Sequence, residues 1–200
     1  VTTELHAERL TGVREAVREI GAGSVIDLGC GEGDFLVPLL EAPEIQRIVA
    51  LDSSGAALAR LRERLAERSP AERARVEPVR ASVLAPPSRF RGLDAAVLVE
   101  VIEHIRPERL SALERGVFRG LGPSRLVVTT PNADFNPLLG VPEHRLREPD
   151  HRFEWGRARF ARWARGVGAR CGYRVSLYDL AGAHPSLGGA SQMAVFDRAV

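Results

Sequence analysis

Lysine is missing from this chain: every one of its 28 basic side chains is arginine. A GC-rich genome accounts for such a bias without any functional cause. Cysteine is scarce. Cys30 and Cys171 form no CxxC pair, which excludes a Cys-rich zinc site and a disulfide framework and fits a reducing, cytoplasmic compartment. No apolar run approaches the roughly 20 residues a membrane-spanning helix needs, and no stretch reads as a signal peptide. There is no internal repeat, low-complexity tract or interdomain linker. A large excess of charge of one sign is also lacking. The net charge of +2 does not by itself announce nucleic acid. The 200 residues suit one domain with a real core, expected over 1–200. Because the chain begins at Val1, it reads as a C-terminal fragment of something longer.

What is present is organised around SVIDLGCGEGDFL, residues 24–36. Val25, Ile26 and Leu28 suit a buried strand. Gly29, Gly31 and Gly33 then alternate through a tight loop, and 34–40 reads as a helix start. Strand, glycine turn and helix form the first unit of a nucleotide-binding α/β domain, with glycines letting the backbone approach a ligand closely. A dinucleotide fingerprint would place glycine at position 34, where Asp34 stands. The acid Asp27, two residues before the first glycine, suits a ligand with an amino group better than a pyrophosphate. This stretch resembles motif I of class I S-adenosylmethionine-dependent methyltransferases.

The remaining chain extends that pattern. Leu10, Val13, Val17 and Ile20 mark an amphipathic helix. Strands are expected at 45–51, 75–79, 93–99 and 126–130, with helices at 56–68 and 107–119. Asp52, at the end of the second strand, either accepts the ribose hydroxyls of an adenosine or caps the following helix; Ser53 and Ser54 are alternative caps. Ser82 and Val83 follow the third strand, where a methyltransferase would hold adenine. Residues 132–150 lack periodicity, as functional segments often do. A helix is expected over 153–167, then two strands at 173–180 and 192–198 joined by a Gly/Pro-rich stretch. The sum is a Rossmann-like α/β fold: by resemblance, a seven-stranded, mostly parallel sheet with the last strand antiparallel.

After the fourth strand stand Glu100, Glu103 and His104, at i, i+3 and i+4. If the chain turns helically there, all three share one face. Two carboxylates and an imidazole form a mixed O/N set suited to magnesium, manganese or iron(II). A fourth ligand is expected at His151, with His144 as competitor. Eight arginines, Arg145, Arg147, Arg152, Arg157, Arg159, Arg162, Arg165 and Arg170, crowd one segment. They form either a phosphate-binding patch or a solvated helix face.

Joined to TTPN at 129–132 and DHRFEWGRARFARWA at 150–164, this cluster resembles the HUA ENHANCER-type 3′-terminal RNA ribose 2′-O-methyltransferases. The resemblance covers nearly the whole chain and is closest to the bacterial branch, the methyltransferase part of an RNA repair system. It implies S-adenosylmethionine bound by Asp27, Gly29, Gly31, Asp52, Ser53, Ser82 and Val83. It also implies a divalent metal, manganese or magnesium, held by Glu100, Glu103, His104 and His151. Glu103 and His104 would be catalytic, with His104 as base, ligand or both. An RNA 3′ end is the implied substrate and a polynucleotide kinase-phosphatase/ligase the implied partner, with no membrane. Arg145 and Arg152 would meet terminal phosphates. Phe135 and Trp155 are either core residues or stacking platforms for the last base. The family pattern would place threonine at Gly156, and glutamate and tyrosine at or near Asp134 and Phe135. A metal-independent small-molecule O-methyltransferase and a non-catalytic RNA-end-binding subunit are the rival readings.

Overall fold

The computed structural model describes residues 4–199. Seven strands form one sheet in the order β3-β2-β1-β4-β5-β7-β6. They are β1 Ser24–Leu28, β2 Arg47–Asp52, β3 Val76–Arg80, β4 Ala95–Val99, β5 Arg125–Pro131, β6 Tyr173–Leu180 and β7 Ser191–Arg198. The first five run parallel, and β7 enters antiparallel to both β5 and β6. Strand order reverses beside β1, which opens a crevice at the carboxyl ends of β1, β2 and β4 where α/β proteins bind ligands.

Central strands are apolar on both faces because helices cover both. On one face Ile26, Leu28, Val49, Leu51, Ala96 and Leu98 meet α5, Leu110–Leu113, and α6, Arg157–Cys171. On the other Val25, Ile48, Ala50, Ala95 and Val97 meet α1, Glu4–Arg18, and α3, Gly55–Ala66. Two short helices, α2 at Leu36–Leu39 and α4 at Pro70–Ala74, complete the connections. No helix among the described residues is long and apolar enough to cross a membrane.

Three expected helices differ from the sequence reading. The one expected at 34–40 shrinks to α2. Beyond it the chain tightens into i→i+3 bonds at Leu40, Glu41 and Ala42, and Pro43 follows. The one expected at 107–119 begins as a 3-10 turn, passes through α5 and widens into a π turn at Glu114–Leu121. Gly116 lies in that wide turn, where a Cβ would come within 2.9 Å of the Leu84 carbonyl oxygen. The one expected from 153 starts only at Arg157. Residues 151–155 are non-helical instead and bend at Arg152, with His151, Phe153 and Trp155 buried and Arg152 exposed. Trp155 pairs with Asn132 beyond β5, and Phe153 stacks on Trp155 at 4.2 Å between ring centroids.

Candidate active site

The glycine loop keeps its shape for steric reasons. Gly29 has φ +86°, and a Cβ there would lie 2.8 Å from Val101; at Gly33, φ +88°, it would lie 2.5 Å from Leu61. Both positions therefore exclude side chains on conformation and on space. The loop is held from β2: Gly29 and Cys30 donate to the Leu51 carbonyl, and Gly31 N–H donates to Asp52 Oδ2 at 2.9 Å. Asp52 Oδ1 accepts from Ser54 N–H at 2.8 Å. The cap of α3 is Ser54, whose hydroxyl accepts from Ala57 N–H, so Asp52 is not that cap.

A cleft of about 520 Å³ opens above these groups. Gly29, Asp52, Ser53, Ser82 and Val83 line it together with Glu100, His104 and Arg152. Gly31 N–H is tied to Asp52, and Asp27 lies on β1 just before the loop. Asp27 is buried, and its Oδ2 has no hydrogen-bond partner. Burial, and then the Asp52 carboxylate, push its pKa up to about 8. An unpartnered buried carboxylate beside a glycine loop fits a cationic ligand group such as an amine.

At the far side of the cleft the chain leaves β4 in an unusual conformation. Glu100 has φ +54°, rare for a residue with a Cβ, and its N–H donates to Thr129 Oγ1 at 3.1 Å. A 3-10 turn at Ile102–His104 follows. Helical spacing from Glu100 is thereby broken, and the four expected ligands do not all fall within 4.8 Å of one another. Glu103, His104 and His151 do converge: one ligand atom from each lies within 4.8 Å of the others. Glu100 stands outside that group, with its Oε1 3.4 Å from Arg9 Nε on α1. His144 lies exposed on the irregular segment and is not in the cluster.

Glu103 is wholly buried. Its Oε2 accepts from Thr130 Oγ1 at 3.0 Å, while Oε1 has no partner. Burial, and then the nearby Glu100 carboxylate, raise its pKa well above the carboxylate range. A sequestered carboxylate with one oxygen unmet, next to two imidazoles, is a donor set that a divalent cation of the magnesium–manganese–iron class fits. The two rings meet edge to face at 5.0 Å.

The aromatic alternatives resolve toward the core. Phe135 packs with Ala181 and Ala190, and Trp155 with Phe153 and Trp163. The arginine patch divides. Arg147 is turned inward onto the Asn132 and Ala190 carbonyls, Arg157 pairs with Asp179 and Arg170 with Glu114. Arg145, Arg152, Arg159, Arg162 and Arg165 form no ion pair among the described residues. Arg152 borders the cleft, whereas Arg145 lines a separate groove with Pro142 and Leu146. Sequence reasoning passed over Arg9, Asp150, Glu154 and Asn136 as site residues. Asp150 and Glu154 flank His151 inside the DHRFEW motif, a visible signal; Arg9 carries none.

A methyltransferase-domain family model matches residues 26–123. The crystal structure of the methyltransferase domain of bacterial CtHen1 superposes at TM-score 0.88 with 35% identity, over 98% of this chain and 100% of that one. The chain belongs to the Hen1 methyltransferase family. Its curated relative, the small RNA 2′-O-methyltransferase of Arabidopsis thaliana, is 32% identical over 212 residues, covering 97% of this chain. This chain spans only 22% of that plant protein's length. A chain of the Pnkp1/Rnl/Hen1 RNA repair complex shares the fold, at TM-score 0.72 and 22% identity. The sheet order and the antiparallel β7 are those of the methyltransferase fold.

Proposed function

We propose that this domain methylates the 2′-hydroxyl of the 3′-terminal ribose of RNA, using S-adenosylmethionine and a divalent metal, in the setting of RNA repair. One observation supports it above the others. The cleft that contains Gly29, Asp52, Ser53, Ser82 and Val83 also reaches Glu100 and His104. A methyl donor and a cluster able to activate a hydroxyl thus share one space.

In this reading Asp27 receives the donor's amino group, and Asp52 keeps the glycine loop closed while presenting its remaining lone pairs to a ribose. Ser82 and Val83 border the adenine position. Glu103, His104 and His151, with the buried Oε1 of Glu100, which has no hydrogen-bond partner, beside them, would hold manganese or magnesium. A divalent ion there would lower the pKa of a ribose hydroxyl and help orient it. His104, about two-fifths exposed at the cleft wall, is the cluster member a substrate hydroxyl in the cleft would reach first. Arg152, at the cleft border, would meet the terminal phosphate.

A free 3′ terminus offers two vicinal hydroxyls, whereas an internal or 3′-phosphorylated residue offers one. One RNA prepared with a 3′-hydroxyl, a 3′-phosphate or a 2′-deoxy end, and assayed for tritiated methyl incorporation with and without EDTA, tests the reading. Labelling is expected only at the 3′-hydroxyl end and only without EDTA. Comparable labelling of the 3′-phosphate RNA would overturn end recognition, and full activity in EDTA would overturn the metal.

A further inference from the structure

Carboxylates from residues 150–154 face both histidines of the cluster at the same ring atom. Asp150 Oδ2 lies 3.1 Å from His104 Nδ1, and Glu154 Oε1 lies 2.6 Å from His151 Nδ1. We propose that Asp150 and Glu154 are positioning residues, one carboxylate for each imidazole, which fix ring tilt and tautomer so that each histidine offers Nε2 to a metal. The purpose rests on the metal reading above; the geometry does not.

A carboxylate oxygen accepts hydrogen bonds and cannot donate them, so in the hydrogen-bonded His151–Glu154 pair the proton sits on Nδ1, while Asp150 faces His104 Nδ1 at ion-pair distance and favours the same tautomer. A neutral ring protonated there carries its lone pair on Nε2. Histidines that bind metals are commonly oriented in this way by an outer carboxylate. Here both outer carboxylates and one of the ligands come from five consecutive residues. Between them, Arg152 N–H donates to the Glu103 carbonyl at 2.7 Å, which bonds the segment to the turn bearing the other two ligands.

The two carboxylates are not equals. Glu154 has a side chain only 1% exposed and is engaged on both oxygens: Oε1 also accepts Arg147 N–H at 2.7 Å, and Oε2 accepts Asn136 Nδ2 at 2.8 Å. Arg147 is anchored in turn on Asn136 Oδ1 and on the Asn132 and Ala190 carbonyls. Glu154 is therefore fixed in place whether or not the histidine is present. The Asp150 side chain is 71% exposed, and water competes for it. His151 should be held rigidly and His104 loosely, which leaves the ring nearest the cleft free to adjust to substrate.

A bland alternative is that Glu154 only pins the loop through Arg147 and Asn136. Long-range ¹H–¹⁵N NMR on histidine-labelled, metal-free protein separates the two. The Nδ1–H tautomer is expected for His151 in the parent protein, and a mixture in Glu154→Gln. Manganese affinity, read from the electron paramagnetic resonance of free Mn²⁺, should fall about 10–100-fold in Glu154→Gln, and by less in Asp150→Asn. Asn136→Ala removes its bonds to Glu154 Oε2 and to Arg147 but leaves the histidine–carboxylate contact, so it should keep both tautomer and affinity. An Nε2–H or mixed tautomer for His151 in the parent protein would overturn the proposal, even if Glu154→Gln fails to fold. So would equal loss of manganese affinity in Asn136→Ala. The expected tautomers in a protein that binds no manganese would support the positioning and overturn the metal reading alone.

Discussion

Asp134 and Gly156 are fitted to one another. Asp134 Oδ2 accepts the N–H of Arg157, the first residue of α6, at 2.9 Å, and a Cβ at position 156 would lie 2.2 Å from Asp134 Oδ1. Gly156 has no side chain with which to cap its own helix. The neighbouring turn supplies the cap instead, in the space a threonine side chain would occupy.

That coupling predicts non-additive stability. Asp134→Ala should cost about 0.5–2 kcal/mol, the usual cost of a lost cap. Gly156→Ser should also destabilise, by crowding Asp134. The double variant should recover part of the loss, because serine can then cap α6 from within. Urea denaturation of the three variants measures this; losses that simply add would show the two positions to be independent.

Asp27 predicts a pH dependence. Its folded pKa is about 8, against roughly 3.9 in an unfolded chain. Below about pH 4 both states hold the proton and this group's contribution is fully present. As pH rises from there, the unfolded state loses the proton first, so stability from this group declines until about pH 8 and then levels off. Asp27→Asn should flatten that decline.

The same group predicts proton release on cofactor binding. An amino group placed against Asp27 favours its ionised form, so S-adenosylmethionine should bind more tightly as pH rises toward 8. Calorimetry in buffers of different ionisation enthalpy should register released protons for the parent protein and none for Asp27→Asn. Absence of release in the parent would remove Asp27 from the amine site.

Asp52→Ala should weaken S-adenosylmethionine binding by about 1–3 kcal/mol, through lost ribose hydrogen bonds and a loosened Gly31. Unchanged affinity by titration calorimetry would confine Asp52 to holding the loop.

Glu103→Ala should abolish thermal stabilisation by manganese and keep that by S-adenosylmethionine. Binding at a hundredfold excess over Kd stabilises by about 2.7 kcal/mol, enough to read by scanning fluorimetry. A manganese shift that survives the substitution would place the ion elsewhere.

The parallel strands were legible because buried strands are short apolar runs bounded by turn residues, and β1, β2 and β4 read that way directly. The start of α6 was not. Phe153, Phe160, Trp163 and Ala164 mimic helical spacing, while the alternating burial of His151, Phe153 and Trp155 belongs to a bent, non-helical stretch that precedes the helix. Within the site, the placement of Glu100 escaped sequence reasoning because a helical-face argument assumes ordinary backbone angles. Nothing local signals φ +54°, and Arg9 comes from an element distant in sequence. His151 was singled out by its motif, whereas the burial of Glu154 beside it emerges only from tertiary packing.

After β5 a 3-10 helix at Ala133–Leu139 leads into a loop tied down by Asn136 and Arg147, and nearly every residue from 137 to 146 lies at the surface. Lengthening a tethered loop costs little, about 0.6 kcal/mol per doubling. The interval between His151 and Glu154, in contrast, cannot gain or lose a residue without parting imidazole from carboxylate. Insertions at the tip can therefore accumulate while His151 and Glu154 stay in register, so the tip is where this domain can take up new sequence without disturbing its imidazole–carboxylate pair.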